Sequence, residues 1–89
     1  MPSKQQQQKS LITRLRRVEG QIRGIQTMIS DDADCEAIAQ QLRAARMALD
    51  RSFYEMISCA LQQQIETSTD LGAAQLRSDE ILKMLAKYG

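Results

Sequence analysis

The strongest constraint on this chain is one uninterrupted apolar seam. Beginning at Cys35, the residues Ile38, Leu42, Ala45, Leu49, Phe53, Met56 and Ala60 recur at steps of three and four, with no Gly or Pro before Gly72. That spacing lays a stripe along an α-helix and predicts one helix over about 34–66, on the order of 45 Å long at 1.5 Å per residue. The chain has 89 residues, room for one domain, and alone it buries only roughly 60–65% of its unfolded surface. So short a chain cannot cover so long a helix. The seam calls for a second copy, most simply an antiparallel partner in a four-helix bundle.

Upstream, Leu11, Leu15, Val18, Ile22, Ile25 and Ile29 step by four and three and predict a helix over about 5–29. Gly20 and Gly24 lie inside it at a cost of about 1 kcal/mol each relative to Ala, and are read as marks of close helix contact. The run Ser30–Asp34, rich in capping residues, ends this helix and starts the next. Thr67 to Gly72 reads as a loop, after which Leu76, Ile81, Leu82 and Leu85 predict a short helix over about 74–87. No apolar and polar alternation of period two occurs. The fold class expected is all-α, with three helices in a single domain spanning 1–89.

Composition removes several functions. The chain contains no His, so it cannot build a Ser–His or Cys–His catalytic pair, a His-ligated zinc or an imidazole base. No cofactor and no enzymatic activity are expected. With 43% hydrophobic and 26% charged residues the chain is of ordinary globular make-up. No apolar run approaches the ~20 residues needed to span a bilayer, and the polar start has no signal-peptide core. A cytoplasmic protein without a membrane partner is expected, its two Cys held as thiols.

The net charge of +1 is a cancellation. Residues 1–30 carry six cations against Glu19 alone, and residues 31–89 carry six cations against ten acids. A basic first third on an acidic body suits a polyanion partner. Lys9, Arg14, Arg16, Arg17 and Arg23 lie on the first helix, and Arg43, Arg46 and Arg51 on the second. Arg suits phosphate through its fork of donors, and Arg spread over two helices can track a DNA backbone, so nucleic acid is the expected partner of helix one. For helix two, solvated surface with Arg46–Asp50 and Arg51–Glu55 pairs is an equal reading. No helix-turn-helix, zinc finger or RNP motif is present.

Two groups have nucleophilic chemistry. Cys35 opens the long helix, where unpaired N–H groups favour a thiolate while Asp34 and Glu36 oppose it. Cys59 lies near the other end of that helix. In an antiparallel pair Cys35 faces the partner's positions near 59 to 64. Ala60 and Gln64 fall within about 20° of its face and Cys59 about 120° away at 100° per residue. If Met1 is removed, Pro2 exposes a secondary amine, which forms an iminium ion with an aldehyde that a nearby thiolate traps as an N–CH2–S bridge.

The run Arg14-Leu-Arg-Arg-Val-Glu-Gly-Gln-Ile-Arg-Gly-Ile-Gln, with Met28-Ile, Cys35, Gln41 and Arg46-Met-Ala-Leu, resembles the CsoR/RcnR/FrmR family of bacterial repressors. The resemblance covers nearly the whole chain. It implies a three-helix protomer, an antiparallel dimer and a dimer of dimers on operator DNA. It also implies that an effector at an intersubunit site headed by the Cys weakens DNA binding. The family's Cys falls on Cys35 and its basic residues on Arg14, Arg16, Arg17 and Arg46, beside Lys9. Copper-sensing members carry metal ligands where this chain has Ala60 and Gln64, and nickel and cobalt members need His. The formaldehyde-responsive branch uses an N-terminal Pro with the Cys, here Pro2 and Cys35. The function expected is a repressor released by formaldehyde bridging Pro2 and Cys35. The alternatives are a metal-, persulfide- or oxidant-responsive repressor using Cys35 with or without Cys59. A further alternative is a small helical enzyme of the chorismate mutase type, with Arg14, Arg43, Arg46 and Gln64 as its pocket. No metal site is expected beyond what Cys35 itself could hold.

Overall fold

The structure, a computed structural model, describes residues 3–67 and 70–89, without side-chain placement at 64–67, 73 and 74. It consists of three helices in chain order, α1 Lys4–Ser30, α2 Cys35–Thr67 and α3 Leu71–Tyr88. Among the described residues there is no strand, as the absence of period-two patterning requires. Pro2 lies outside the described residues.

α1 begins at Lys4 because Ser3 caps it. The Ser3 hydroxyl accepts from the Gln6 N–H at 3.2 Å, and the Gln6 side chain accepts from the Ser3 N–H at 2.8 Å. This capping box satisfies two backbone donors that a helix start otherwise leaves to water. The other end closes with a Schellman turn: Ala33 N–H donates to the Met28 carbonyl at 2.9 Å and Asp32 N–H to Ile29 at 3.1 Å. Asp32 sits in the left-handed region at φ 57°, which that turn demands. The Asp34 carbonyl then accepts from Ile38 N–H at 3.0 Å as α2 starts.

α1 and α2 run antiparallel. Arg14 meets Glu55, and the buried Gln7 donates its side-chain N–H to Gln62. These two contacts set a register in which Leu11 lies level with Cys59, Val18 with Ser52 and Ile25 with Ala45, within about one residue's 1.5 Å rise. Val18, Ile25 and Ala45 are accordingly buried, as is Ser52, whose hydroxyl donates to the Ala48 carbonyl at 3.0 Å. α3 packs on the far half of α2, and Ile57 and Ile81 are buried in that half.

The molecule is one layer thick. Its principal extents are 58 × 26 × 14 Å, and 14 Å is barely more than the ~10–12 Å of a single helix with its side chains. The radius of gyration is 17.5 Å, against about 12 Å for a compact domain of this length. Among the described residues five apolar side chains make up the buried core, and none is fully enclosed. Beside the α1–α2 seam two apolar rows remain open: Leu15, Ile22 and Ile29 on α1, and Met56, Leu49 and Leu42 on α2, between 37% and 59% exposed. Each row steps by seven and is rotated about 20–80° in one sense from the buried residues of the α1–α2 seam, Val18 and Ile25 on α1 and Ala45 and Ser52 on α2. Because the helices are antiparallel, that common rotation puts both rows on the same side of the slab and level with each other.

Three expectations are corrected. Gly72 belongs to α3, which starts at Leu71, directly after Asp70, a residue type that favours helix starts. Gly20 and Gly24 mark no close contact with another helix of the same chain, since none of its atoms lies within 4 Å of where their Cβ atoms would be. Glu55 turns to Ser10 and Arg14 of α1 and not to Arg51, because its place on α2 is the flank nearest α1.

Candidate functional site

Three of the basic residues of α1, Lys9, Arg14 and Arg17, gather on the side of the seam opposite the apolar rows, while Lys4 lies on the side of Leu11 and Met56. Lys9, Arg14 and Arg17 line one shallow groove with Gln6, Ser10 and Thr13. Arg14 donates its Nε–H to Glu55 at 2.7 Å and its side chain is 41% exposed, while Glu55 is 22% exposed. The second carboxylate oxygen of Glu55 accepts from the Ser10 hydroxyl at 2.9 Å. Arg16 and Arg17 are exposed on the outer face of α1. Arg23 pairs with Glu19 at 3.7 Å with both side chains open to solvent, an arrangement worth little to stability. Arg46 stands apart from this cluster, sharing a groove with Ala39, Leu42 and Arg43 on the side of the apolar rows. One chain therefore unites Lys9, Arg14 and Arg17, leaves Arg16 exposed on the outer face of α1, and presents Arg46 separately.

The thiols lie far apart. Cys35, exposed, is the first residue of α2, and Cys59 is half-buried on the same helix, about 36 Å away along a straight axis. Ser3, which precedes α1, is as remote: α1 runs about 39 Å from Lys4 to Ser30, where the chain turns toward Cys35. Cys59 and Ala60 line a groove of about 300 Å³ with Met56 and Gln63 of α2 and Lys4, Gln8 and Leu11 of α1. The start of α1 and the end of α2 thus form one end of the slab, and Cys35 occupies the other. No cluster of three or more His, Cys, Asp or Glu is placed to hold a metal among the described residues. No described helix is long and apolar enough to cross a membrane.

This α1–α2 pair, with a shorter α3 laid over the end of α2, has close counterparts. A family model for metal-sensitive transcriptional repressors matches residues 7–87. The chain belongs to that family. Over 86 residues it is 29% identical to the copper-sensing transcriptional repressor CsoR of Bacillus subtilis (strain 168), covering 96% of this chain and 85% of that protein. Over 78 residues it is 30% identical to the transcriptional repressor RcnR of Salmonella paratyphi B, covering 88% and 87%. Among solved structures it is similar to a variant of the formaldehyde-responsive regulator FrmR of Salmonella enterica serovar Typhimurium, with a TM-score of 0.77, 28% identity and coverage of 93% and 94%. The nickel-responsive transcriptional regulator InrS matches at a TM-score of 0.78, also 28% identical, with 91% of each chain covered. Members of the repressor family are transcriptional regulators and not enzymes. That removes the chorismate mutase alternative, and the geometry agrees: Arg14 lies on one side of the slab, Arg43 and Arg46 line a groove on the other.

Two partners in this region differ in how far sequence spacing exposes them. Gln6 as half of a capping box is legible in the Ser3-x-x-Gln6 spacing, although apolar periodicity alone passes over it. Glu55 as the partner of Arg14 is not legible, because forty-one residues separate them and no local spacing joins them.

Proposed function

We propose that this repressor binds double-stranded operator DNA through Lys9, Arg14, Arg16 and Arg17, and releases it when formaldehyde joins Pro2 of one subunit to Cys35 of another. The carrying observation is the one-layer slab, with its basic groove on one side and its apolar rows on the other. Covering those rows with an antiparallel second copy leaves the basic grooves of both copies outward. It also sets the end of the slab that holds Lys4 and Cys59 beside the other copy's Cys35, a meeting that the ~39 Å length of α1 forbids within one chain. Arg46, the remaining expected DNA contact, lies with Arg43 on the side of the apolar rows and not in the outward grooves. Two such dimers make the tetramer.

The chemistry balances without a further reactant. The Pro2 amine adds to formaldehyde, the carbinolamine loses water to give an iminium ion, and the Cys35 thiolate attacks its carbon. One N–C and one S–C bond form, one water leaves, and the mass rises by one carbon, about 12 Da. The bridge ties the start of one α1 to the other subunit's α2 and displaces the helix that carries the phosphate contacts. A second reading, supported by the copper-sensing and nickel-responsive relatives, has a metal ion at Cys35, with Cys59 as an added soft ligand. A persulfide or oxidant coupling the same two thiols between subunits is its metal-free form.

Intact-mass measurement joined to an electrophoretic shift separates these. Formaldehyde release requires the one-carbon adduct, absent in Cys35→Ala and in Pro2→Ala. Release by Cu(I) or Ni(II) with no adduct supports the metal reading, and a thiol-reversible dimer supports the sulfur one. Operator binding that survives formaldehyde without an adduct removes the formaldehyde assignment.

A further inference from the structure

An acid stands in the middle of the most cationic part of this molecule. Among the described residues Glu55 is the only carboxylate paired with a residue of the Lys9, Arg14 and Arg17 groove, and it reaches that groove from the other helix. A lone negative charge there repels DNA phosphates, so its placement opposes the attraction that the surrounding cations supply. Its geometry shows what it does instead. Both carboxylate oxygens are engaged, one accepting from Arg14 Nε at 2.7 Å and the other from Ser10 Oγ at 2.9 Å. Engagement through Nε leaves the two terminal nitrogens of the guanidinium, with four N–H donors, for another acceptor. Those donors belong to the Arg14 head that lines the groove with Lys9, Thr13 and Arg17.

We propose that Glu55 is a positioning residue for DNA binding: it holds the Arg14 guanidinium by its Nε edge, braced against Ser10, so that the terminal donors are preset for one phosphate. Resting on the DNA-binding reading above, this adds a residue of α2 that touches no DNA. The warrant is entropic. An Arg free in solution must surrender its rotamers on binding, and an Arg already held by a half-buried carboxylate has done so on folding, a difference of about three- to tenfold in affinity. The bond is also charge-assisted and crosses between helices, so the direction of Arg14 follows the position of α2.

The test turns on the sign. Operator-like duplexes are selected from a random pool with the full-length protein, and the tightest is titrated at fixed salt against variants with unchanged thermal melts. Glu55→Gln keeps an oxygen for Arg14 Nε and is expected to bind at least as tightly as the native protein. Glu55→Ala is expected to bind about three- to tenfold more weakly, although it removes a negative charge. In an Arg14→Ala background the same Glu55→Ala change is expected to have no further effect. Should Glu55→Ala fail to fold, Arg14→Lys substitutes for it: the charge stays, the Nε edge is removed, and binding weakens by the same factor. Binding by Glu55→Ala as tight as native, or a weakening that persists without Arg14, overturns the proposal. Lys9→Ala and Arg17→Ala serve as controls. If they weaken binding and Glu55→Ala does not, the positioning role alone falls; if neither weakens it, the DNA face and the proposal fall together.

Discussion

Asp32 and Gly24 each stand where another residue would fit better. Asp32 occupies the left-handed position of the turn between α1 and α2, a conformation that costs a residue with a Cβ roughly 1 kcal/mol relative to Gly. Asp32→Gly is expected to stabilise the protein by about that amount, read as a rise in the midpoint of thermal unfolding. Gly24 has the opposite mismatch, a helical residue with no side chain and no atom of its own chain within 4 Å of where a Cβ would stand. Gly24→Ala is expected to add about 1 kcal/mol of stability, measured by urea titration of the helical circular dichroism. Neither expectation is available from residue type alone. A Gly in a helix reads equally as a close contact or as an exposed weakness, and only the geometry of its neighbours decides between them.

At the scale of elements, periodicity carries most of the information. The steps of three and four from Leu11 to Ile29 and from Cys35 to Ala60 place two helices, and the length of the second seam calls for more cover than one chain supplies. The seam does not distinguish its two uses. Val18, Ile25 and Ala45 are buried within the chain, while Leu15, Ile22, Leu42 and Leu49, from the same periodic series, face outward. That division depends on the register set by Gln7 with Gln62 and Arg14 with Glu55, contacts between residues more than forty positions apart. The same limit hides the basic groove's acid: by spacing, Glu55 looks like a local partner for Arg51. Helix ends are legible where their caps follow a fixed spacing. Ser3→Ala breaks the box at the start of α1 and is expected to cost about 1 kcal/mol of local stability. Faster amide hydrogen exchange at Gln6 and Gln7, with the rest of α1 unchanged, would register it. Because Ser3 adjoins Pro2, the same change tests whether the order of this first turn governs the proposed reaction at the amine.

For the whole molecule the decisive quantity is thickness. Domains bury apolar surface between two packed layers, and a slab 14 Å deep supplies one. The rows Leu15, Ile22, Ile29 and Leu42, Leu49, Met56 are the surface a second layer would meet. Leu49→Glu places a charge in the middle of them and is expected to reduce self-association at least tenfold, since an unpaired buried charge costs several kcal/mol. Sedimentation velocity across a dilution series checks this. Native protein is expected to remain associated where the variant sediments as a single chain of 10.1 kDa, and helicity in the variant is expected to fall at lower temperature. Salt titration of DNA binding belongs to this scale as well. Arg17→Ala deprives one phosphate of its cation and is expected to lower the slope of log affinity against log salt by about 1 per subunit bound.

A layer with so small an interior also ties gene dosage to regulatory output. If two copies must meet before either can hide its apolar rows or present paired basic grooves, the competent population rises with the square of chain number when copies are scarce. A cell making slightly less of this protein would lose disproportionately more repression. Promoter strength and the apolar rows on α1 and α2 would then be adjusted against each other over evolution, a weaker face being tolerable only where the chain is abundant.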